Sequence, residues 1–262
     1  MNEYIPLNLL NIAIAAGFVL LAGLASIALR LGLAKSLGIG LLRTAIQLGL
    51  AGAAIGFVFG IKSIIWVLLL AVVMTAFAGR EGVKRLKTRI PGSGLDIVLA
   101  ISLSSFVVAI SVTGVVIGAE PWWTPRIFIP IMGMVLGNSL TGISLALDRF
   151  MNACVEKHSE IEARLTLGAN LNEAVLPVVR DSIRTGMIPS INAMNIVGVV
   201  SLPGMMTGQL LAGADPKDAV LYQIIVMYML VAATAMGSII AVMLARRRVF
   251  TKDMTLREDL FV

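Results

Sequence analysis

Apolar and polar positions along this chain fall in long blocks. Apolar runs cover about 5–29, 38–60, 63–79, 95–118, 127–147, 191–213 and 218–245. A helix needs about 20 such residues to cross the hydrocarbon core. The pattern therefore predicts an all-α, polytopic membrane protein of about seven transmembrane helices in a single domain, 1–262. The third run is short, and the sixth is interrupted by Pro203 and Gly204. One region departs from the rule: about 148–190 is polar and charged, and holds the string EIEARLTLGANLNEAVLPVVRDSIRTG.

Helical spacing persists inside that segment. Phe150, Cys154, Ile161 and Leu165 recur on one face, predicting an amphipathic helix. Gly168 reads as its stop. Asn170 followed by Glu173 resembles a capping box opening a second helix, with Ala174, Val178 and Ile183 as its apolar side. Pro177 is expected to kink or restart that helix. Such a pair of helices suits either the membrane surface or the groove of a partner.

The basic residues orient the chain. With the N-terminus outside, 17 of the 21 Lys and Arg fall in inside loops or the C-terminal tail. Only Lys62, Arg126 and Lys217 lie outside, and Arg43 sits within a span. An excess of cations on the cytoplasmic side is the usual topology signal. It predicts an N-out, C-in arrangement with the polar segment in the cytosol between spans five and six. Trp122 and Trp123 then fall at the outer interface, where amphipathic rings suit the headgroup level.

Composition narrows the function classes. Charged residues make up 14% of the chain, against about 25% in soluble domains. A net charge of +6 is explained by topology, so no nucleic-acid partner is inferred. One cysteine, Cys154, leaves no internal disulfide and no Cys-rich metal site. The N-terminal run lacks a basic leader and is read as a retained span. Between their ends the spans hold no Asp or Glu, with Asp96 and Asp148 at cytosolic ends. That counts against a proton-driven antiporter, which keeps carboxylates in the membrane for a reason. The one histidine, His158, reads as a solvated side chain. No acid, base and nucleophile set is present, so an enzyme is the least favoured class, and no cofactor is expected on this chain. The strings GNSLTG and GFVFGIKS fail the nucleophile-elbow and P-loop patterns, so any nucleotide is hydrolysed by another polypeptide.

What remains inside the membrane is polar but uncharged, apart from Arg43. Arg43 and Gln47 share a face of span two. Gly52, Gly56 and Gly60 there, and Gly133 and Gly137 in span five, have the spacing that lets helices approach closely. Asn138, Thr141, Met205, Met206 and Gln209 complete the candidate lining of a translocation path. Each has a plainer reading. Arg43 snorkels, Gln47 and Asn138 glue helices, and methionines fill a core. The break at Pro203 and Gly204 is the best pointer to a substrate-lining element.

Two resemblances sharpen this picture. EARLTLGA, 162–169, resembles the EAA loop of ABC-transporter permeases at Glu162, Ala163 and Gly168, with Arg164 in place of an alanine. The strings RTAIQL (43–48), IPIMGMVLGNSL (129–140) and that running from Arg180 to Ile224 together look like the FetB-type permease family. That family includes bacterial iron-export permeases and plant homologues linked to aluminium resistance and to a nucleotide sugar. The resemblance implies a multi-pass permease of the plasma membrane (the bacterial inner membrane). It implies a homodimer paired with two copies of a cytosolic ABC ATPase, which binds the ATP and magnesium. It also implies export, of iron, another metal or a metal complex. Glu162, Ala163, Gly168, Arg180, Asp181 and Arg184 are the candidate ATPase-coupling residues. A stand-alone secondary carrier and a non-transporting scaffold that recruits a cytosolic partner remain the alternatives. A hard cation prefers oxygen ligands, so a chelate or an organic anion also stays open as cargo.

Overall fold

The computed structural model describes residues 8–61, 63–86, 92–251 and 257. Among them the chain is helical throughout, in nine α-helices with one π-helical turn. They divide between two compact units.

The first unit is built from α1 (Leu9–Ala28) and α2 (Ala34–Ile61), with Leu211–Gly213. Asn8 caps α1 by accepting from the Asn11 amide at 3.1 Å. The turn into α2 uses Arg30 and Gly32 at positive φ, 53° and 72°. Ser26 fixes it by accepting from the Leu33 amide at 3.0 Å. Apolar side chains are exposed on every side of α1 and over most of α2, where Lys35, Arg43 and Gln47 are exposed polar exceptions, as suits helices whose solvent is lipid.

The second unit holds α3 (Ile64–Arg85), α4 (Ser93–Ser111), α5 (Pro125–Glu156), α6 (His158–Thr166), α7 (Leu171–Ile196), α8 (Gly204–Leu211, all but its last residue) and α9 (Pro216–Val249). A π-helical turn, Val112–Val116, ends α4. The centre is α5, which packs against α3, α4, α7 and α9. Its buried side carries Phe128, Met132, Ile143, Leu147 and Phe150, all fully enclosed. Close packing here is made by glycine. A Cβ on Gly142 would lie 2.8 Å from the Gly186 carbonyl oxygen, and one on Gly186 would lie 2.6 Å from that of Gly142. So α5 and α7 cross backbone to backbone.

Two ion pairs tie the ends of this unit. Arg248 donates through Nε to both carboxylate oxygens of Asp96, at 2.8 and 2.7 Å, joining the last turn of α9 to the first turn of α4. Asp96 is fully buried. Arg149 on α5 reaches Asp181 on α7 at 2.8 Å and Glu156 at 3.3 Å.

Among the described residues six helices are long and apolar enough to cross a bilayer: α1, α2, α3, α4 with its π turn, α5 and α9. They account for six of the seven sequence-predicted runs. The remaining run, 191–213, is not one helix. It is the end of α7, a loop and the short α8. The helix breaks at Ile196, before the expected Pro203–Gly204 position, and Gly204 opens α8. Gly198 at φ +81° turns the chain, and the amides of Val200 and Ser201 bond back to the Ile196 carbonyl at 3.0 and 3.2 Å. The polar segment also differs in outline. Phe150 and Cys154 belong to α5, which runs on to Glu156, and Pro177 neither stops nor restarts α7.

Candidate functional site

The loop that breaks the chain after α7 roofs a chamber of about 390 Å³. Four elements build it. Met134 and Asn138 come from α5, Ser190 and Ala193 from α7, Ser201, Pro203 and Met205 from the loop and α8, and Gln223 and Met227 from α9. Among the described residues no charged side chain is part of the lining. Its volume lies within the range of small-ligand sites, about 300–1,000 Å³.

Asn138 stays at the wall because its amide donates to the Met134 carbonyl one turn back, at 2.9 Å. Gln223 is the more telling residue. Its side chain is 5% exposed, and its Oε1 has no hydrogen-bond partner. A buried amide oxygen left unbonded costs about 1–3 kcal/mol. Gln223 was not among the sequence-derived lining residues. A single amide in an apolar span reads as helix glue, and only the neighbouring loop reveals the space beside it.

Two further cavities share this wall. One, of about 220 Å³, has Met134 and Met205 in common with the chamber and adds Arg126, Gln209 and Met229. The Gln209 Oε1 is likewise buried and unpartnered. The other, of about 460 Å³, shares Gln223 and Met227 and adds Met194 and Met206. Four of the sequence-derived lining residues, Asn138, Met205, Met206 and Gln209, therefore meet around adjoining cavities, together with Pro203 and Gly204. Thr141 points elsewhere and accepts from Arg85 of α3 at 3.1 Å. Arg43 and Gln47 stand exposed on α2, in the first unit.

The candidate coupling residues form the other end of the second unit. In α6, Glu162 pairs with His158 at 3.3 Å and Arg164 with Glu160 at 2.7 Å. Ala163 is exposed, and its carbonyl accepts from the Leu167 amide at 3.1 Å. Gly168 ends the helix at φ +94°, where L-residues are strained and glycine is not. Beside it Leu167 stands 88% exposed. The capping box then opens α7. Asn170 accepts from the Glu173 amide at 3.0 Å, and Glu173 accepts from the Asn170 amide at 2.9 Å. Arg180 and Arg184 are exposed on α7, while Asp181 is held by Arg149. The first turn of α7 is latched to α9 by Arg246, which donates to Asn172 at 2.5 Å.

Comparison with known proteins places this architecture. The model of the Uncharacterised protein family UPF0014 matches residues 9–250. The probable iron export permease protein FetB of Escherichia coli is 30% identical over 95% of this chain and 92% of its own. Protein ALUMINUM SENSITIVE 3 of Arabidopsis thaliana is 31% identical over 95% of this chain and 90% of its own. The UPF0014 membrane protein YjkA of Bacillus subtilis is 31% identical over 97% of this chain and all of its own. No solved structure matches. With a family match and relatives spanning nearly the whole chain, this multi-pass membrane protein belongs to the UPF0014 family.

Proposed function

We propose that this chain is the membrane permease subunit of an ABC-type exporter, driven by a separate ATPase. The observation that carries the reading is the continuity of α7. It starts at the Gly168 turn, among the exposed charges of the polar hairpin, and ends at Ile196 in the wall of the chamber. Its 26 residues extend about 39 Å at 1.5 Å each, so one rigid rod joins a docking surface to a binding space. Its mean hydropathy is lowered by Glu173, Arg180, Asp181 and Arg184 in its first half, which is why it does not read as a span by composition. Under this reading α7 and α8 supply the seventh crossing, leaving the N-terminus outside and the C-terminus in the cytosol of the bacterial inner membrane.

The chamber has no charged lining to move a proton, which suits a transporter powered from elsewhere. A pushed α7 pivots where Gly142 and Gly186 touch, and the loop at 197–203 re-aims with it. ATP then needs only different affinity for the inward and outward states to drive the cycle. A homodimer with two ATPase copies is the assembly proposed. The name of the Escherichia coli relative supports metal or a metal complex as cargo, iron first.

The test is affinity capture of the tagged protein from mild detergent, with assay of co-purifying ATPase. The expected result is an ATPase that is lost when Glu162 and Gly168 are both replaced by tryptophan. Replacement of Gly168 alone by a bulky residue should leave the fold intact and uncouple hydrolysis from transport. Metal flux in vesicles by the chain alone, without ATP, would replace this reading with a secondary carrier.

A further inference from the structure

The break between α7 and α8 lies at membrane depth. Ser201 and Pro203 line the chamber beside Val226 and Leu230 of α9. Those two residues stand ten and fourteen positions beyond Pro216, where that helix starts, or about 15 and 21 Å along its axis at 1.5 Å each. A hydrocarbon core is about 30 Å thick, and α9 is long and apolar enough to cross it.

The backbone at the break is unpaired on both sides. From Met194 to Val200 only the Ile196 carbonyl accepts a hydrogen bond among the described residues, from the amides of Val199, Val200 and Ser201. Past the turn, the amides of Leu202, Gly204, Met205 and Met206 donate none among the described residues. The helix that follows, α8, is eight residues long and buries none of its residues. A helix that short is marginal by itself. At the turn Val199 and Val200 stand 89% and 78% exposed. Two valines suit lipid, but the backbone that carries them does not. Irregular backbone at this depth is tolerated only against protein or a water-filled cavity.

What this surface lacks identifies its partner. It holds unspent acceptors at the end of α7 and unspent donors at the start of α8. A two-fold axis through such a surface sets the acceptors of one copy against the donors of the other. Lipid tails offer neither group. Close approach is open as well, since a Cβ on Gly204 or Gly208 would meet nothing within 4 Å.

We propose that two copies of this chain meet at the break between α7 and α8, across a two-fold axis, with Val199 and Val200 at the seam. The contact stands on the unspent backbone. That the same axis carries cargo past the chamber rests on the permease reading.

The experiment is oxidative cross-linking of single-cysteine variants of the full chain in membrane vesicles. The one native cysteine, Cys154, is buried, and Cys154→Ala serves as the background. Val199→Cys and Val200→Cys should each give a disulfide-linked dimer on non-reducing gels. Phe77→Cys, at a 67% exposed apolar position of α3, should give none. With Cys154 retained, Gly208→Leu in nanodiscs should weaken the dimer about tenfold or more by crowding a close backbone contact. Its helix content by circular dichroism should match the parent's. No dimer band from either valine position, cross-linking at Phe77 instead, or a Gly208→Leu protein as dimeric as the parent would each overturn the proposal. Cross-linked dimers without any captured ATPase would sink the permease reading and leave the contact standing. Captured ATPase with neither cross-link nor dimer loss would do the reverse.

Discussion

Helices α2 and α5 are 28 and 32 residues long, and both are long and apolar enough to cross a bilayer. Yet Val58 is the one buried residue of α2, while α5 buries eighteen. Their glycines make the contrast plain. Gly52, Gly56 and Gly60 line up on α2 as a packing ridge, but a Cβ on any of them would meet nothing within 4 Å among the described residues. Gly142 on α5 stands against the Gly186 backbone with no room for a methyl group. Apolar composition is set by the lipid and says little about packing. Small residues pack only where another backbone comes to meet them.

The contrast breaks most decisively at the crossing of α5 and α7. Gly186→Leu should destabilise the protein by about 3 kcal/mol or more, because carbonyl oxygen rather than a flexible side chain lies in the way. Gly56→Leu should change stability by less than about 0.5 kcal/mol. Thermal melting of both variants in nanodiscs decides the matter, and equal losses would erase the distinction between the two helices. A loss of dimer without a loss of folding in Gly56→Leu would sharpen it, by showing that a second copy meets the glycine ridge.

A smaller effect is expected from Asp96→Asn. It leaves Arg248, whose side chain is 36% exposed, facing a neutral amide. Breaking a fully buried pair costs about 3–5 kcal/mol, and partial access to water brings the expectation nearer 2. Adding Arg248→Met should recover part of it, and chemical denaturation of both variants measures the difference. Smaller still is Asn170→Ala, which removes the cap of α7 for about 1 kcal/mol. Hydrogen exchange should report it as faster opening confined to the first turn of α7. Last comes Glu162→Gln. Its pairing with His158 lies at the surface, and such pairs contribute under about 1 kcal/mol. Melting should not register it. Captured ATPase activity should, under the proposed coupling role.

What was legible in the sequence follows from the range of the forces involved. The Gly168 stop and the Asn170–Glu173 capping box are local, and the structure has both. The apolar runs are local too, and six of them are helices long enough to span. The fate of 191–213 was not local. Pro203 and Gly204 announced a break, but it falls earlier, at Ile196, where Gly198 turns the chain at positive φ. Pro177 was expected to kink or restart its helix and is carried inside α7, as is Pro189. A proline removes one backbone bond, and the packing of α7 on α5 and α9 outweighs that loss. Of the candidate site, Asn138, Met205, Met206 and Gln209 stood out as polar or soft atoms in apolar surroundings. Gln223 and Met227 did so equally, but their importance depends on the space between α7, α8 and α9, which no single helix encodes.

The pairing of Asp96 with Arg248 has a consequence in time as well as in space. The two residues are 152 positions apart, and protein synthesis adds about 5–20 residues per second. The carboxylate of α4 therefore enters the membrane about 8–30 s before its guanidinium has been made. Until then α4 carries an acid that lipid does not tolerate ionised, held at its very first turn, where it still reaches the water. The second unit closes only when the last turn of its last helix arrives, so a chain cut short before Arg248 keeps its spans and leaves α4 unlocked.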